Sequence, residues 1–147
     1  MKPRSILIVD DDQTIIDSLG EIFESEGYDV ETATTGTNAM QKLANKSFDV
    51  TLLDIKLPDM QGTKLLEKTL DSPNMVKIML TGYSTEEHAI KSLNLGANAY
   101  FVKPINPGKL VEAVENELKR HEEAAKAVRR EIRKERRQTS TLIRYYK

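Results

Sequence analysis

Asp10, Asp11 and Asp12 follow directly on the apolar run Ile6-Leu7-Ile8-Val9; Asp54 follows Val50-Thr51-Leu52-Leu53, Thr81 follows Ile78-Met79-Leu80, and Lys103 follows Tyr100-Phe101-Val102. Acids, a hydroxyl and an amine thus recur at one kind of place in the chain. Clustered carboxylates repel one another unless a cation stands between them, and hard oxygen ligands suit Mg²⁺. In-line attack of a carboxylate on a phosphoryl group needs such a set, because metal, ammonium and hydroxyl must neutralise the charge on the equatorial oxygens. In that chemistry Asp54 is the nucleophile and forms an acyl phosphate. Lys103 supplies a fixed positive charge, and Thr81 can move inward to donate a hydrogen bond to a new phosphoryl oxygen. Each residue taken singly also has an ordinary reading: Asp12 as a helix N-cap, Asp10 and Asp11 as loop charges, Asp54 as the start of a turn with Pro58 and Asp59, Lys103 as a surface lysine. Their joint occurrence is what points to chemistry.

Such residues need elements that bring them to one edge. Ser5 to Val9, Tyr28 to Ala33, Phe48 to Leu53, Met75 to Leu80 and Ala99 to Val102 read as five strands. The first, third and fourth are near-continuous apolar runs, as expected of inner strands in a parallel sheet covered on both faces. Between them lie helical patterns: Ile15, Ile16, Leu19, Ile22 and Phe23, closed by Gly27; Ala39, Met40 and Leu43; Leu65, Leu66 and Leu70; Ala89, Ile90 and Leu93. Ser84 with Glu87 predicts a capping box for the fourth helix and Gly96 its stop, while Asn106-Pro107 predicts the start of the fifth. The repeated alternation predicts an α/β doubly wound domain, a five-stranded parallel sheet between helix layers. Ligands of such sheets bind outside the carboxyl ends of the strands, which is where the acids, Thr81 and Lys103 fall.

The chain has no cysteine, which excludes thiolate nucleophiles, thiolate metal sites and disulfides and favours a reducing, cytoplasmic setting. Its first apolar run stops at Val9, too short for a signal-peptide core or a membrane span, so a soluble protein without membrane insertion is expected. The net charge of −1 conceals a division, because residues 121–147 hold nine Lys or Arg against four Glu and leave the remainder at −6. One domain over residues 1–120 and a basic helical tail over 121–147 are expected.

Residues 119–137 contain no Gly or Pro, so the fifth helix is predicted to run on. Val111, Val114, Leu118, His121, Ala125, Val128 and Ile132 alternate spacings of three and four, a thin heptad seam. The pattern fits a solvated charged helix, a coiled-coil homodimer, or a helix that seats on a partner protein, with His121 an interface residue rather than a metal ligand. Arg129-Arg130, Arg133-Lys134 and Arg136-Arg137 could also meet phosphates of nucleic acid or of a membrane. No helix-turn-helix follows, and nucleic acid is not the expected partner.

Ile8-Val9-Asp10-Asp11-Asp12, Leu53-Asp54-Ile55-Lys56-Leu57-Pro58-Asp59-Met60-Gln61-Gly62, Leu80-Thr81-Gly82 and Tyr100-Phe101-Val102-Lys103-Pro104 together resemble the receiver domains of response regulators in two-component signalling. The resemblance runs from residue 4 to about residue 120 and implies a flavodoxin-like (βα)5 fold of the chemotaxis-regulator kind. It implies that Asp11 touches Mg²⁺ directly and Asp10 largely through water. Asp54 then accepts a phosphoryl group from a sensor histidine kinase or phosphotransfer protein, and the backbone carbonyl of Lys56 is a further metal ligand. Thr81 and Tyr100 become a switch pair, Lys103 the partner of a phosphoryl oxygen, and Lys103-Pro104 a cis peptide. The output is expected through the fourth helix, fifth strand and fifth helix, together with the tail, to a downstream protein.

By the same resemblance, Lys56 and Tyr83 stand where the family sets the rate of phosphoryl loss. Neither is an acid or amide that would orient a water, so slow decay is expected. Self-catalysed transfer to Asp54 is the only chemistry implied, and the chain is not expected to be an enzyme. The alternatives are a DNA-binding or scaffold protein acting through the basic helix, or a fragment of a larger response regulator. A phosphatase similar to the haloacid dehalogenase group needs a second Asp two residues after the nucleophile, where Lys56 stands. Neither GxGxxG nor GxxxxGK[ST] occurs.

Overall fold

The computed structural model describes residues 2–82 and 85–146, Tyr145 and Tyr146 by backbone alone. Strands and helices alternate as β1 (Ser5–Val9), α1 (Gln13–Ser25), β2 (Asp29–Ala33), α2 (Gly36–Asn45), β3 (Val50–Asp54), α3 (Gly62–Lys68), β4 (Val76–Thr81), α4 (Glu86–Asn94), β5 (Ala99–Val102) and α5 (Pro107–Tyr146). All strand pairs are parallel, in the order β2-β1-β3-β4-β5. The three apolar runs are the inner strands, as their composition requires. β1, β3 and β4 are buried along their whole length, whereas β2 and β5 at the edges are mostly half-exposed.

Two apolar layers sandwich the sheet. On one face Ile6, Ile8, Leu52 and Ile78 pack with Leu19 and Phe23 of α1 and with Leu110, Val114 and Leu118 of α5. On the other, Leu7, Leu53 and Met79 pack with Ala39 of α2 and with Leu65 and Leu66 of α3. Chain order reverses direction between β1 and β3, so the connections leaving the carboxyl ends of these paired strands run to helices on opposite faces of the sheet and leave a crevice between them.

Local chemistry sets the helix ends. Asp12 caps α1 by accepting the Thr14 N–H, Asn106 caps α5 by accepting the Lys109 N–H, and Pro107 is the first residue of that helix. Gly27 and Gly96 take positive φ after α1 and α4. Lys103-Pro104 is cis.

Two helix limits differ from the sequence expectation. Ser84, proposed as a cap, lies outside the described residues, as does Tyr83. Thr85 is the N-cap of α4, its hydroxyl accepting the His88 N–H. α3 stops at Lys68, which leaves Leu70 beyond the helix and 55% exposed. There the Thr69 hydroxyl turns back onto the Leu66 carbonyl, and the Thr69 carbonyl accepts both the Ser72 N–H and the ammonium of Lys77. Lys77 comes from an inner strand and is 4% exposed, and burial pushes its pKa down.

Candidate functional site

The strand ladder fixes the backbone of each candidate residue. Asp54 is the last residue of β3 and pairs in register with Leu80; Thr81 is the last of β4 and pairs with Val102. Asp10, one step past β1, donates its N–H to the Ala33 carbonyl, and Lys103, one step past β5, donates to the Thr81 carbonyl. A parallel sheet therefore brings to one edge residues that are up to 93 positions apart in sequence.

Their side chains meet. The Lys103 ammonium donates to Asp10 Oδ2 at 2.6 Å and to Asp54 Oδ2 at 3.1 Å. The other oxygens accept backbone N–H groups, Asp10 Oδ1 from Asp12 at 2.9 Å and Asp54 Oδ1 from Lys56 at 3.2 Å. Asp10 is fully buried, Asp54 is 5% exposed, and Asp11 is open to solvent. Burial would lower the pKa of Lys103, but the hydrogen bonds it donates to Asp10 and then Asp54, with the charge of both carboxylates, outweigh it and hold the ammonium above its ordinary value.

Carboxylate oxygens of Asp10, Asp11 and Asp54 lie within 4.8 Å of one another. Three carboxylates against one ammonium carry a formal −2, an arrangement that invites a divalent cation. The donors fit Mg²⁺: all are hard oxygens, and Asp11 faces solvent, so retained waters have room. Beside them opens a cavity of about 510 Å³ lined by Asp11, Asp54, Lys56, Thr81 and Lys103. A hollow of about 500 Å³ beneath the α2–β3 and α3–β4 connections and an apolar groove of about 540 Å³ along α1 and the β5–α5 connection are similar in size. Neither gathers carboxylates in this way.

Of the residues named from sequence, Asp10, Asp11, Asp54, Lys56, Thr81 and Lys103 converge. Asp12 does not join them, its carboxylate being used as the cap of α1. Tyr100 is half-buried on β5, in register with Met79, so the pleat sets it on the same face of the sheet as Thr81 on the neighbouring strand.

The structure also shows supports that sequence reading missed. Gly62 opens α3 against the end of β3: its N–H donates to the Ile55 carbonyl at 2.6 Å, and a Cβ here would stand 1.9 Å from the Asp54 carbonyl oxygen. Asp59 caps α2 from 22 and 23 residues away, accepting the Gly36 and Thr37 N–H groups and the Thr37 hydroxyl. Those bonds, the Thr37 hydroxyl first, hold its carboxyl well below the usual range, at about 2. Met60 lies against Gly36, where a Cβ would meet it at 2.3 Å. The loop after Asp54 is thereby fastened at both ends. Only its Pro58-Asp59 turn residues hinted at this in the sequence.

Residues 6–115 match the family model described as the response regulator receiver domain. The aerobic respiration control protein ArcA of Escherichia coli is 37% identical over 120 residues, which are 82% of this chain and 50% of ArcA. The response regulator SaeR of Staphylococcus aureus is 40% identical over 119 residues, 78% of this chain and 50% of SaeR. The chain thus spans about half the length of these curated relatives. A crystal structure of a CheY-like receiver domain protein from Methanospirillum hungatei is 48% identical, with a TM-score of 0.81 over 84% of this chain and 99% of that one. With four strand-end motifs, the sheet order and these likenesses in agreement, the chain belongs to the response regulator receiver domain family of two-component signalling.

Proposed function

We propose that residues 1–120 form a switch that accepts a phosphoryl group on Asp54 from a sensor histidine kinase or a phosphotransfer protein, and that residues 121–147 form its tail. The observation that carries this reading is the Lys103 ammonium held between Asp10 and Asp54 at the mouth of the crevice. An oxygen of Asp54 attacks phosphorus in line. The bond to the donor nitrogen breaks as the new P–O bond forms, and the donor imidazole keeps the electron pair. Lys103 exchanges a carboxylate for a phosphoryl oxygen, and Thr81 donates its hydroxyl to another. Mg²⁺ held by Asp10, Asp11, Asp54 and the Lys56 carbonyl would neutralise charge on the phosphoryl oxygens. The chain turns over no separate substrate in this scheme.

Tyr100 lies on the face of the sheet that Thr81 shares and is the natural reporter of that movement. Ile90 and Leu93 on α4 and Val102 on β5 are exposed, which supports output through the α4–β5–α5 face. Val128 and Ile132 of the tail are the contact we assign to a homodimer or a downstream protein.

Intact mass after incubation with acetyl phosphate tests the reading. A Mg²⁺-dependent gain of one phosphoryl group, absent from Asp54→Ala, is expected; no gain under any condition overturns it. The phosphorylated form should decay slowly, because Lys56 and Tyr83 offer no acid or amide to orient water. Fast loss that Lys56→Asn with Tyr83→Glu leaves unchanged would refute that expectation.

A further inference from the structure

The tail is a single continuation of α5. Leu110, Val114 and Leu118 of that helix are seated on the core, and His121 and Glu122 make its last polar contacts with the body, to Asn74 and Asn98 and to Arg4. Every described side chain after Ala125 is exposed. Residues 126–144 span about 27 Å of helix at 1.5 Å per residue.

This segment carries eight Lys or Arg and two Glu. At about 100° per residue, Lys126, Arg130, Arg133, Arg137 and Arg144 fall within about 60° of one another, and Arg129, Lys134 and Arg136 flank them. The two acids, Glu131 and Glu135, lie on the other side with Val128 and Ile132. Among the described residues, the only ion pair these cations make is Lys126 with Glu122, at 3.8 Å. Lys126 and Arg130, Arg129 and Arg133, Arg130 and Lys134, and Arg133 and Arg137 are like-charged neighbours four apart, each pair weakening the free helix. The basic arc is therefore unneutralised and self-repelling.

Its direction narrows what could neutralise it. Val128 and Ile132 stand fourteen residues past Val114 and Leu118, only about 40° round the helix from them, so the apolar stripe continues on the side that faces the body. Lys126, Arg130, Arg133, Arg137 and Arg144 lie about 100–160° round the helix from the mean bearing of Leu110, Val114 and Leu118, so the centre of the arc points away from the body side. The flanking Arg129 and Arg136 fall near the bearing of Leu118, and all of these basic side chains are exposed. A helix lying on a membrane by its apolar stripe would turn the centre of this arc to water, and the body already stands on the stripe side. A continuous, exposed helix with one cationic face matches the phosphate backbone of a nucleic-acid duplex, which carries one charge per about 1.7 Å.

We propose that the outward face of the tail binds the phosphate backbone of duplex nucleic acid without reading its sequence. The sequence showed only a basic cluster; the structure adds that the cations share one arc, that among the described residues only Lys126 has an acidic partner, and that the centre of the arc is open to solvent. The proposal goes beyond phosphoryl transfer and does not rest on it.

The test is fluorescence anisotropy of a 30-base-pair random-sequence duplex titrated with the full chain at a series of KCl concentrations. Binding should weaken steeply with salt, with a log–log slope of about −4 or steeper if five cations engage. Arg130→Gln with Arg133→Gln and Arg137→Gln should weaken binding at least tenfold and flatten the slope by about 2.7, whereas the matching triple Arg→Lys variant should bind like the wild type. Helix content by circular dichroism should not fall in either variant, rising if anything in the Gln variant as its like-charged pairs are removed, and phosphorylation of Asp54 should be unchanged in both. Absence of binding at 50 mM salt, a slope that the Gln variant leaves unaltered, or binding to anionic vesicles but not to the duplex would each overturn the proposal.

Discussion

Lys103→Met removes one ammonium and little else, since the unbranched thioether retains most of the lysine stem's packing. What it leaves behind is the point: Asp10, fully buried, and Asp54, nearly so, face each other and Asp11 without a counter-charge. Taking one partner from a buried ion pair costs about 3–5 kcal/mol. Here 19% of the Lys103 side chain is exposed and both carboxylates keep a backbone N–H donor, so the lower figure, about 3 kcal/mol, applies. In a domain of this size that lowers Tm by about 6–12 °C. The assay is a thermal melt followed by circular dichroism, once in EDTA and once in millimolar Mg²⁺. The full deficit is expected in EDTA and a smaller one with Mg²⁺, because a divalent ion among the same carboxylates supplies the missing charge and binding stabilises the folded state. A drop under about 2 °C in EDTA would refute the buried-pair reasoning, and equal deficits in both buffers would refute the cation site.

Gly62→Ala should cost about 2–3 kcal/mol in urea unfolding and slow acetyl-phosphate labelling of Asp54, because the new methyl group must push α3 off the Asp54 carbonyl, 1.9 Å from its ideal position; wild-type labelling and stability would contradict this. Asp59, with its carboxyl held at about 2 in the folded chain, contributes stability that is fully present above its unfolded value near 3.9 and is lost as pH falls through about 2. Asp59→Asn should therefore flatten the acid limb of stability between about pH 4 and pH 2 and speed hydrogen exchange at the start of α2; an unaltered limb would show that the cap is not coupled to folding.

What could be read from sequence was whatever depends on near neighbours or on a face-wide pattern. The inner strands declared themselves because both of their faces are buried, and Asp12, Gly27, Gly96 and Asn106-Pro107 because caps and stops act within a few residues. The converging acids, Thr81 and Lys103 were legible because a parallel sheet puts every strand end on one edge. The supports were not. Asp59 caps a helix that began more than twenty residues earlier, and nothing in Gly62 itself says that a strand end lies against it. Leu70 fits a helical spacing with Leu66, yet the turn at Thr69, fastened by Lys77 from β4, releases it to solvent. Lys77 reads as a polar interruption in an apolar run, and only its distant acceptor explains how a lysine is buried there.

The site and the root of the tail lie at opposite ends of the strands, about 17 Å apart over the five steps from Asn98 to Lys103. One path between them is visible. β5 ends at the switch edge next to Lys103 and begins just after Asn98, whose side chain accepts the Lys77 N–H at 2.8 Å and presents its amide to His121 of α5 at 3.2 Å. His121 also contacts the Asn74 carbonyl at 3.0 Å, so one imidazole ties two loops to the helix where it leaves the body. With the Asn98 oxygen committed to Lys77, its NH₂ faces His121 Nε2, and both contacts are met by the neutral ring protonated on Nδ1. If phosphorylation of Asp54 draws in Thr81 and turns Tyr100, β5 shifts and Asn98 moves with it. Hydrogen exchange over residues 121–128 should then differ between the acetyl-phosphate-treated and untreated wild type. In His121→Ala that difference should vanish while Asp54 is still labelled. A tail that responds equally in wild type and variant would place the coupling elsewhere in the α5 interface, and a tail that responds in neither would mean that β5 carries no signal to it.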